Sequence, residues 1–136
     1  MNKTSPNPGA QATVLIVDDS EICLDIAREA LEAEGYRVVT STSPLGVNRL
    51  IATERPAVVV VDVTMPALRG DKLVQLVRRH QTEPVHILLH SDRPAIELAR
   101  YVVESGATDY VEKTPDAEPL VRAIKGLLQG PAKAGR

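Results

Sequence analysis

Short apolar runs rich in Val and Ile alternate along this chain with longer stretches in which apolar residues recur every three or four positions. The runs predict five strands, at Thr13–Val17, Arg37–Thr40, Ala57–Asp62, His86–His90 and Thr108–Val111. VLIV at 14–17 and VVVV at 58–61 show no alternation with polar residues, which suits central strands of a parallel sheet covered on both faces. Arg37–Thr40 is shorter and more polar and reads as an edge. Between the runs, Cys23, Ile26, Ala27, Ala30 and Leu31 form one helical stripe, with Ser20 as its N-cap and Gly35 as its stop. Ala95, Ile96, Ala99, Val102 and Val103 form a second stripe ahead of Gly106, and Leu120, Val121, Ile124, Leu127 and Leu128 a third. Two weaker helices fall near Pro44–Thr53 and Asp71–His80. Strict alternation of strand and helix predicts an α/β fold, a doubly wound five-stranded parallel sheet with five helices, in one domain over 13–129. Residues 1–12 are polar and rich in Pro and Gly, and 130–136 open with Gly130-Pro131, so both read as flexible tails.

The first strand ends on two adjacent carboxylates, Asp18 and Asp19. Two like charges about 4 Å apart repel by roughly 1 kcal/mol in water and about 4 kcal/mol at an effective dielectric near 20. In an open α/β sheet the carboxyl ends of all parallel strands lie on one edge, where ligands bind. That edge would gather Asp18 and Asp19, Asp62 after the third strand, Ser91 after the fourth and Lys113 after the fifth. A hard dication such as Mg²⁺ takes oxygen ligands of this kind and would offset the repulsion. One oxygen of Asp62 would then remain to attack a phosphoryl group, with Ser91 and Lys113 meeting the charge of the product.

Each residue also has a plainer reading. Asp18-Asp19-Ser20 suits a helix N-terminus, Asp62 and Ser91 suit caps, and a lysine is usually solvated. For any one of them the plainer reading is the stronger, but five compatible groups on one edge outweigh it.

Composition narrows the class further. The chain has 136 residues, 43% hydrophobic and 25% charged, with a net charge of -2, which suits one soluble domain and shows no footprint for nucleic acid. No apolar stretch reaches the roughly 18 residues that span a bilayer, and the first residues lack the apolar core of a secretory signal. With a single cysteine, Cys23, no internal disulfide can form, so a cytoplasmic protein is expected. Cys23 lies on the predicted buried stripe and reads as a small core hydrophobe rather than a redox sensor. His86 and His90 share a strand face, which suits a sheet rim better than a metal pair.

VLIVDDSE, VVVVDVTMPALRG and SGATDYVEK resemble the first-strand, Asp-x-x-Met-Pro-x-x-x-Gly and fifth-strand blocks of the receiver domains of two-component response regulators. The resemblance covers about residues 13–129 and implies a flavodoxin-like receiver fold with strand order 2-1-3-4-5. It implies that Asp62 is the phosphoacceptor, and that Asp19, Asp62 and the backbone carbonyl of Thr64 bind Mg²⁺ directly, with Asp18 acting largely through water. Ser91 would bond a phosphoryl oxygen and Tyr110 would turn inward as the loop before the fourth helix moves. Thr64 and Arg93 would flank the phosphoryl group and set its rate of hydrolysis. The expected partners are a histidine kinase and a downstream protein bound on the fourth helix, fifth strand and fifth helix. Tyr101, Arg100, Glu104 and Glu112 are candidates on that face, although each alone reads as a solvated surface residue. The resemblance implies a stand-alone phosphoacceptor rather than an enzyme, as a monomer or a phosphorylation-linked homodimer, with no nucleic acid or membrane as partner.

One departure stands out: the family has Pro directly after its conserved Lys, in a cis bond, whereas here Thr114 follows Lys113 and Pro115 comes next. A cis bond to a non-proline residue costs about 2.5–4 kcal/mol, so Lys113-Thr114 is predicted trans. The altered loop keeps a second class open, a pseudo-receiver that binds its partner without using phosphate. A haloacid dehalogenase-type phosphohydrolase would need an acid where Thr64 stands. A flavodoxin-like flavin protein would place phosphate against Asp18-Asp19, and the chain has no Trp or Phe for stacking.

Overall fold

The computed structural model describes residues 12–81 and 84–129. The tails expected at 1–12 and 130–136 fall, apart from Ala12, outside the described residues, as does the stop at Gly130-Pro131. The elements are β1 (Thr13–Val17), α1 (Glu21–Glu32), β2 (Arg37–Ser41), α2 (Val47–Glu54), β3 (Val58–Asp62), α3 (Gly70–His80), β4 (His86–Ser91), α4 (Ala95–Ser105), β5 (Asp109–Glu112) and α5 (Glu118–Gln129). All strand pairs are parallel, in the order β2-β1-β3-β4-β5, with β2 on the expected edge.

The unbroken apolar runs fall where burial on both faces requires them. Leu15 and Val17 of β1, Val59 and Val61 of β3, and Ile87 and Leu89 of β4 enter one core with residues of α2, α3 and α4. Their neighbours Val14, Ile16, Val58, Val60 and Leu88 enter the other, against α1 and α5. Successive side chains of a strand point to opposite faces, so a strand between two helical layers must be apolar at every position.

Two helical stripes differ from expectation. In α1 the buried residues are Leu24, Ala27 and Leu31, while Ile26 is 41% exposed and Cys23 half-buried. In α4 they are Leu98, Tyr101 and Ser105, and Ile96 and Val103 are 84% and 83% exposed. Tyr101, expected at the surface, is buried because its hydroxyl donates to Glu97 at 2.9 Å, which removes the penalty for burying it. The α5 stripe is as expected, with Leu120, Val121 and Ile124 buried and Leu127 and Leu128 packed beside them.

Element ends shift by local chemistry. Helix α1 closes at Glu32, and Gly35 turns the chain into β2 with φ 95°. Helix α2 begins at Val47 rather than Pro44, because Gly46 takes φ 81°, a left-handed conformation that a helix interior excludes. Thr108 stays just outside β5, its hydroxyl accepting from the Ile87 amide at 2.9 Å and its own amide donating to the Ile87 carbonyl at 2.7 Å. Among the described residues no helix is long and apolar enough to cross a membrane.

Candidate functional site

Val17 of β1 pairs in register with Val61 of β3, so Asp18 and Asp62 emerge side by side at the carboxyl ends of adjacent strands. The Asp18 amide donates to the Ser41 carbonyl at 3.1 Å, which carries the β1–β2 ladder one residue further and fixes the direction of its side chain. Asp18 is buried, and its Oδ1 accepts from the Ser20 amide at 2.9 Å. Ser20 caps α1 in turn, its hydroxyl accepting from the Cys23 amide at 3.2 Å. Ser20 thus caps the helix while the Asp18 carboxylate stays at the strand end beside Asp62.

Asp62, also buried, accepts from the Thr64 amide on Oδ1 at 3.1 Å. Behind it the first residue of α3 comes very close: a Cβ built on Gly70 would stand 2.3 Å from the Asp62 carbonyl oxygen. Only glycine fits there, and its amide donates to the Val63 carbonyl at 2.8 Å. The glycine of the Asp-x-x-Met-Pro-x-x-x-Gly block thus lets α3 seat directly against the backbone of Asp62.

Lys113 follows β5, and its amide donates to the Ser91 carbonyl at 2.8 Å. Its ammonium lies 2.8 Å from Asp18 Oδ2 and 3.7 Å from Asp62 Oδ1. No peptide bond among the described residues is cis, so Lys113-Thr114 is trans as expected, and the lysine reaches both acids nonetheless. Cys23, expected in the core, instead flanks this site, its Sγ accepting from Lys113 Nζ at 3.8 Å.

Carboxylate oxygens of Asp18, Asp19 and Asp62 can lie within 4.8 Å of one another, with Asp19 exposed at the rim. With all three acids ionised, this corner would carry two negative charges beyond what the Lys113 ammonium offsets. The strain shows in Asp62, whose carboxyl is pushed up to about 7 by burial first and by the Asp18 charge second, against the pull of Lys113 and of the Thr64 amide. Burial works to lower Lys113, but the hydrogen bond to Asp18 and the charges of Asp62 and Asp18 outweigh it and hold the ammonium above its ordinary value. Burial, helped by Lys113, drives His90 down to about 4, so the imidazole next to the site is neutral. A set of hard oxygen donors with two uncompensated charges fits a divalent cation of the Mg²⁺ class.

Ser91, fully buried at the end of β4, accepts from the Arg93 amide at 3.1 Å. Arg93 bridges the loops after β3 and β4, its Nε donating to the Thr64 hydroxyl at 3.2 Å and its Nη1 to Glu97 at 2.7 Å. Tyr110 is half-buried and packs on the α2–α3–α4 core. Arg100 and Glu104 are exposed and pair loosely at 3.9 Å, and Glu112 is exposed.

The structure thus gathers Asp18, Asp19, Asp62, Ser91 and Lys113 on one edge and sets Thr64 and Arg93 beside them. Sequence reasoning passed over three residues. Glu97 stands four residues before Tyr101, which puts the two on one face of α4, and Arg93 reaches Glu97 from the loop ahead of the helix. Buried Asp71 accepts from Arg69 Nε at 2.5 Å and Nη2 at 3.0 Å, and the Arg69 guanidinium lies 5.2 Å from the centre of the Tyr101 ring. No periodicity marks the Arg69–Asp71 pair, since its members flank the start of a helix.

The sequence model of the response regulator receiver domain matches residues 14–125. The transcriptional regulatory protein CseB of Streptomyces coelicolor is 32% identical over 125 residues, covering 92% of this chain and 53% of that protein. The chain spans about half the length of the curated relatives it matches. Among solved structures, a LuxR-family two-component response regulator from Aurantimonas superposes with a TM-score of 0.78 at 30% identity, covering 88% of this chain and 86% of that one. The chemotaxis protein CheY4 of Vibrio cholerae gives 0.77 at 28% identity, covering 85% and 97%.

Proposed function

We propose, from the premise that this chain belongs to the response regulator receiver domain family of two-component systems, that Asp62 accepts a phosphoryl group from a histidine kinase. The observation that carries the reading is the reach of one ammonium, Lys113, to both Asp18 and Asp62 at the ends of neighbouring strands.

Asp18, Asp19, Asp62 and the backbone carbonyl of Thr64 would hold Mg²⁺, which when bound neutralises the acids and screens the phosphoryl oxygens from them. Asp62 Oδ1 is engaged by the Thr64 amide and faces Lys113, so Oδ2 is the oxygen left to attack. The new bond is Asp62 Oδ2 to phosphorus, and the bond that breaks joins phosphorus to the donor's imidazole nitrogen, which keeps the electron pair. Lys113 then faces a dianionic acyl phosphate in place of a carboxylate, and the Ser91 hydroxyl turns from the Arg93 amide to a phosphoryl oxygen. Movement of Ser91 draws the loop before α4 inward and opens room for the Tyr110 ring.

This is acceptor chemistry with the phosphoryl held on the protein rather than turnover of a substrate, and its readout is protein binding at α4, β5 and α5. Transfer from a kinase would take place in the cytoplasm. The alternative, a pseudo-receiver suggested by the altered Lys113-Thr114-Pro115 loop, would bind its partner regardless of Asp62→Asn and Mg²⁺; the reach of the Lys113 ammonium to both acids favours the phosphoacceptor.

Wild-type chain incubated with a small acyl phosphate in Mg²⁺ should gain one acid-stable, hydroxylamine-labile phosphoryl group, read by intact mass. Asp62→Asn should gain none. Equal labelling of the two proteins would reject Asp62 as the acceptor.

A further inference from the structure

Arg93 is the residue that spans the mouth of the site. Its backbone amide holds the Ser91 hydroxyl, and its guanidinium crosses to Thr64, two residues past Asp62. Strands β3 and β4 are neighbours with Asp62 and His90 in register, so a group carried on Asp62 would rise into the space between these two loops. At rest the guanidinium is held by the Glu97 carboxylate at 2.7 Å, and that same carboxylate oxygen accepts from the Tyr101 hydroxyl at 2.9 Å. The Tyr101 hydroxyl first and Arg93 with it hold the Glu97 carboxyl below its usual range, so Glu97 is ionised at neutral pH. Tyr101 is 5% exposed, and the guanidiniums of Arg69 and Arg100 lie 5.2 Å and 5.6 Å from its ring centre.

We infer that Arg93 exchanges Glu97 for the phosphoryl group on Asp62, so that Glu97 is a positioning residue that stores the guanidinium beside the acceptor and reports its departure to Tyr101. This rests on the reading of Asp62 as phosphoacceptor. The direction of exchange follows from charge and geometry. A phosphoryl group carries about -1.5 to -2 with three acceptor oxygens, against a single charge on Glu97 that is already shared with a tyrosine hydroxyl. The Arg93–Glu97 pair is partly open to water, with side chains 35% and 26% exposed, so it is weak enough to be given up. After exchange the first turn of α4 displays a carboxylate that has lost its cation. This is a second line from the site to α4, separate from Ser91 and Tyr110.

Beryllofluoride with Mg²⁺, a phosphoryl mimic, is titrated into the isotope-labelled full chain and followed by NMR. The Arg93 Nε–Hε resonance should move on binding. Glu97→Gln should bring the resting position of that resonance towards the bound one and tighten beryllofluoride binding about two- to fivefold, since no pair must be broken. Arg93→Gln should weaken binding about three- to tenfold and shrink the shift of the Tyr101 ring signals. Wild-type Arg93 Nε unmoved at saturation, or Glu97→Gln binding with wild-type affinity, overturns the exchange. The wild-type measurement decides even if a variant folds poorly. Asp62→Asn separates the two levels. If it still binds beryllofluoride the phosphoacceptor reading fails, and if it does not while Arg93 of the saturated wild type stays still, only the exchange fails.

Discussion

Removing the Asp62 carboxylate should make the metal-free chain more stable. Asp62 titrates at about 7 in the folded chain against 3.8 for an ordinary aspartate, because burial and the charge of Asp18 disfavour its ionised form. Between about pH 4 and pH 7 the folded chain therefore holds a proton that the unfolded chain has released, and stability falls as pH rises through that window. Each pKa unit is worth about 1.4 kcal/mol, so the penalty at pH 8 is about 4 kcal/mol. Asparagine keeps the shape and the acceptor for the Thr64 amide, and the pull of the Lys113 ammonium 3.7 Å away is already contained in that raised titration point. Asp62→Asn should thus raise the unfolding free energy by about 4 kcal/mol at pH 8 in a chelator, and the gain should shrink to about 1 kcal/mol near pH 4.5. Urea unfolding followed by far-UV circular dichroism measures it, since the chain has no Trp. Mg²⁺ should stabilise the wild type and leave Asp62→Asn nearly unchanged. A variant no more stable than wild type at pH 8, or a gain that persists undiminished at pH 4.5, would refute the electrostatic reasoning.

Gly70→Ala puts a Cβ 2.3 Å from the Asp62 carbonyl oxygen and 2.8 Å from Val63 Cα, both backbone atoms that cannot swing aside. It should cost about 1–3 kcal/mol in the same unfolding assay and, by displacing Asp62, slow phosphoryl labelling on the order of a hundredfold. The observed phase of α4 sets Leu98, fully buried, against Ile96, 84% exposed. Leu98→Ala should lose about 2–5 kcal/mol and Ile96→Ala less than about 0.5 kcal/mol, and a larger loss for Ile96→Ala would mean that the helix is turned as its sequence suggests.

The site was legible because its chemistry sits where the strongest pattern stops. The unbroken runs 14–17 and 58–61 can only be strands buried on both faces, and the first polar residue after each lands on the sheet edge by topology alone. Helix phase was harder to read. In α4 two stripes compete, and hydropathy prefers the one with Ile96 and Val103 over the one with Tyr101 and Ser105. What buries the second is satisfaction of its polar atoms: Tyr101 finds Glu97, and the Ser105 hydroxyl takes the Ala107 amide at 3.2 Å. Such pairings depend on tertiary context, so they leave no trace in periodicity. In α1 the same difficulty hid Leu24 and drew Cys23 and Ile26 inward on paper, although Cys23 belongs beside Lys113. The Thr114 departure was visible, but its outcome depended on where β5 stops, one residue later than the apolar pattern does.

The acidic corner is assembled from positions 18, 62 and 113, each delivered by a different strand of an all-parallel sheet. No hairpin can bring any two of them together early; each meeting waits for a crossover of some tens of residues to close. The mutual repulsion of the acids therefore arises late on the way to the native state, after the apolar strands have docked. A cation bound there is expected to slow unfolding more than it speeds folding, which stopped-flow urea jumps with and without Mg²⁺ would measure. The lifetime of this fold, more than its speed of formation, is what such an ion would govern.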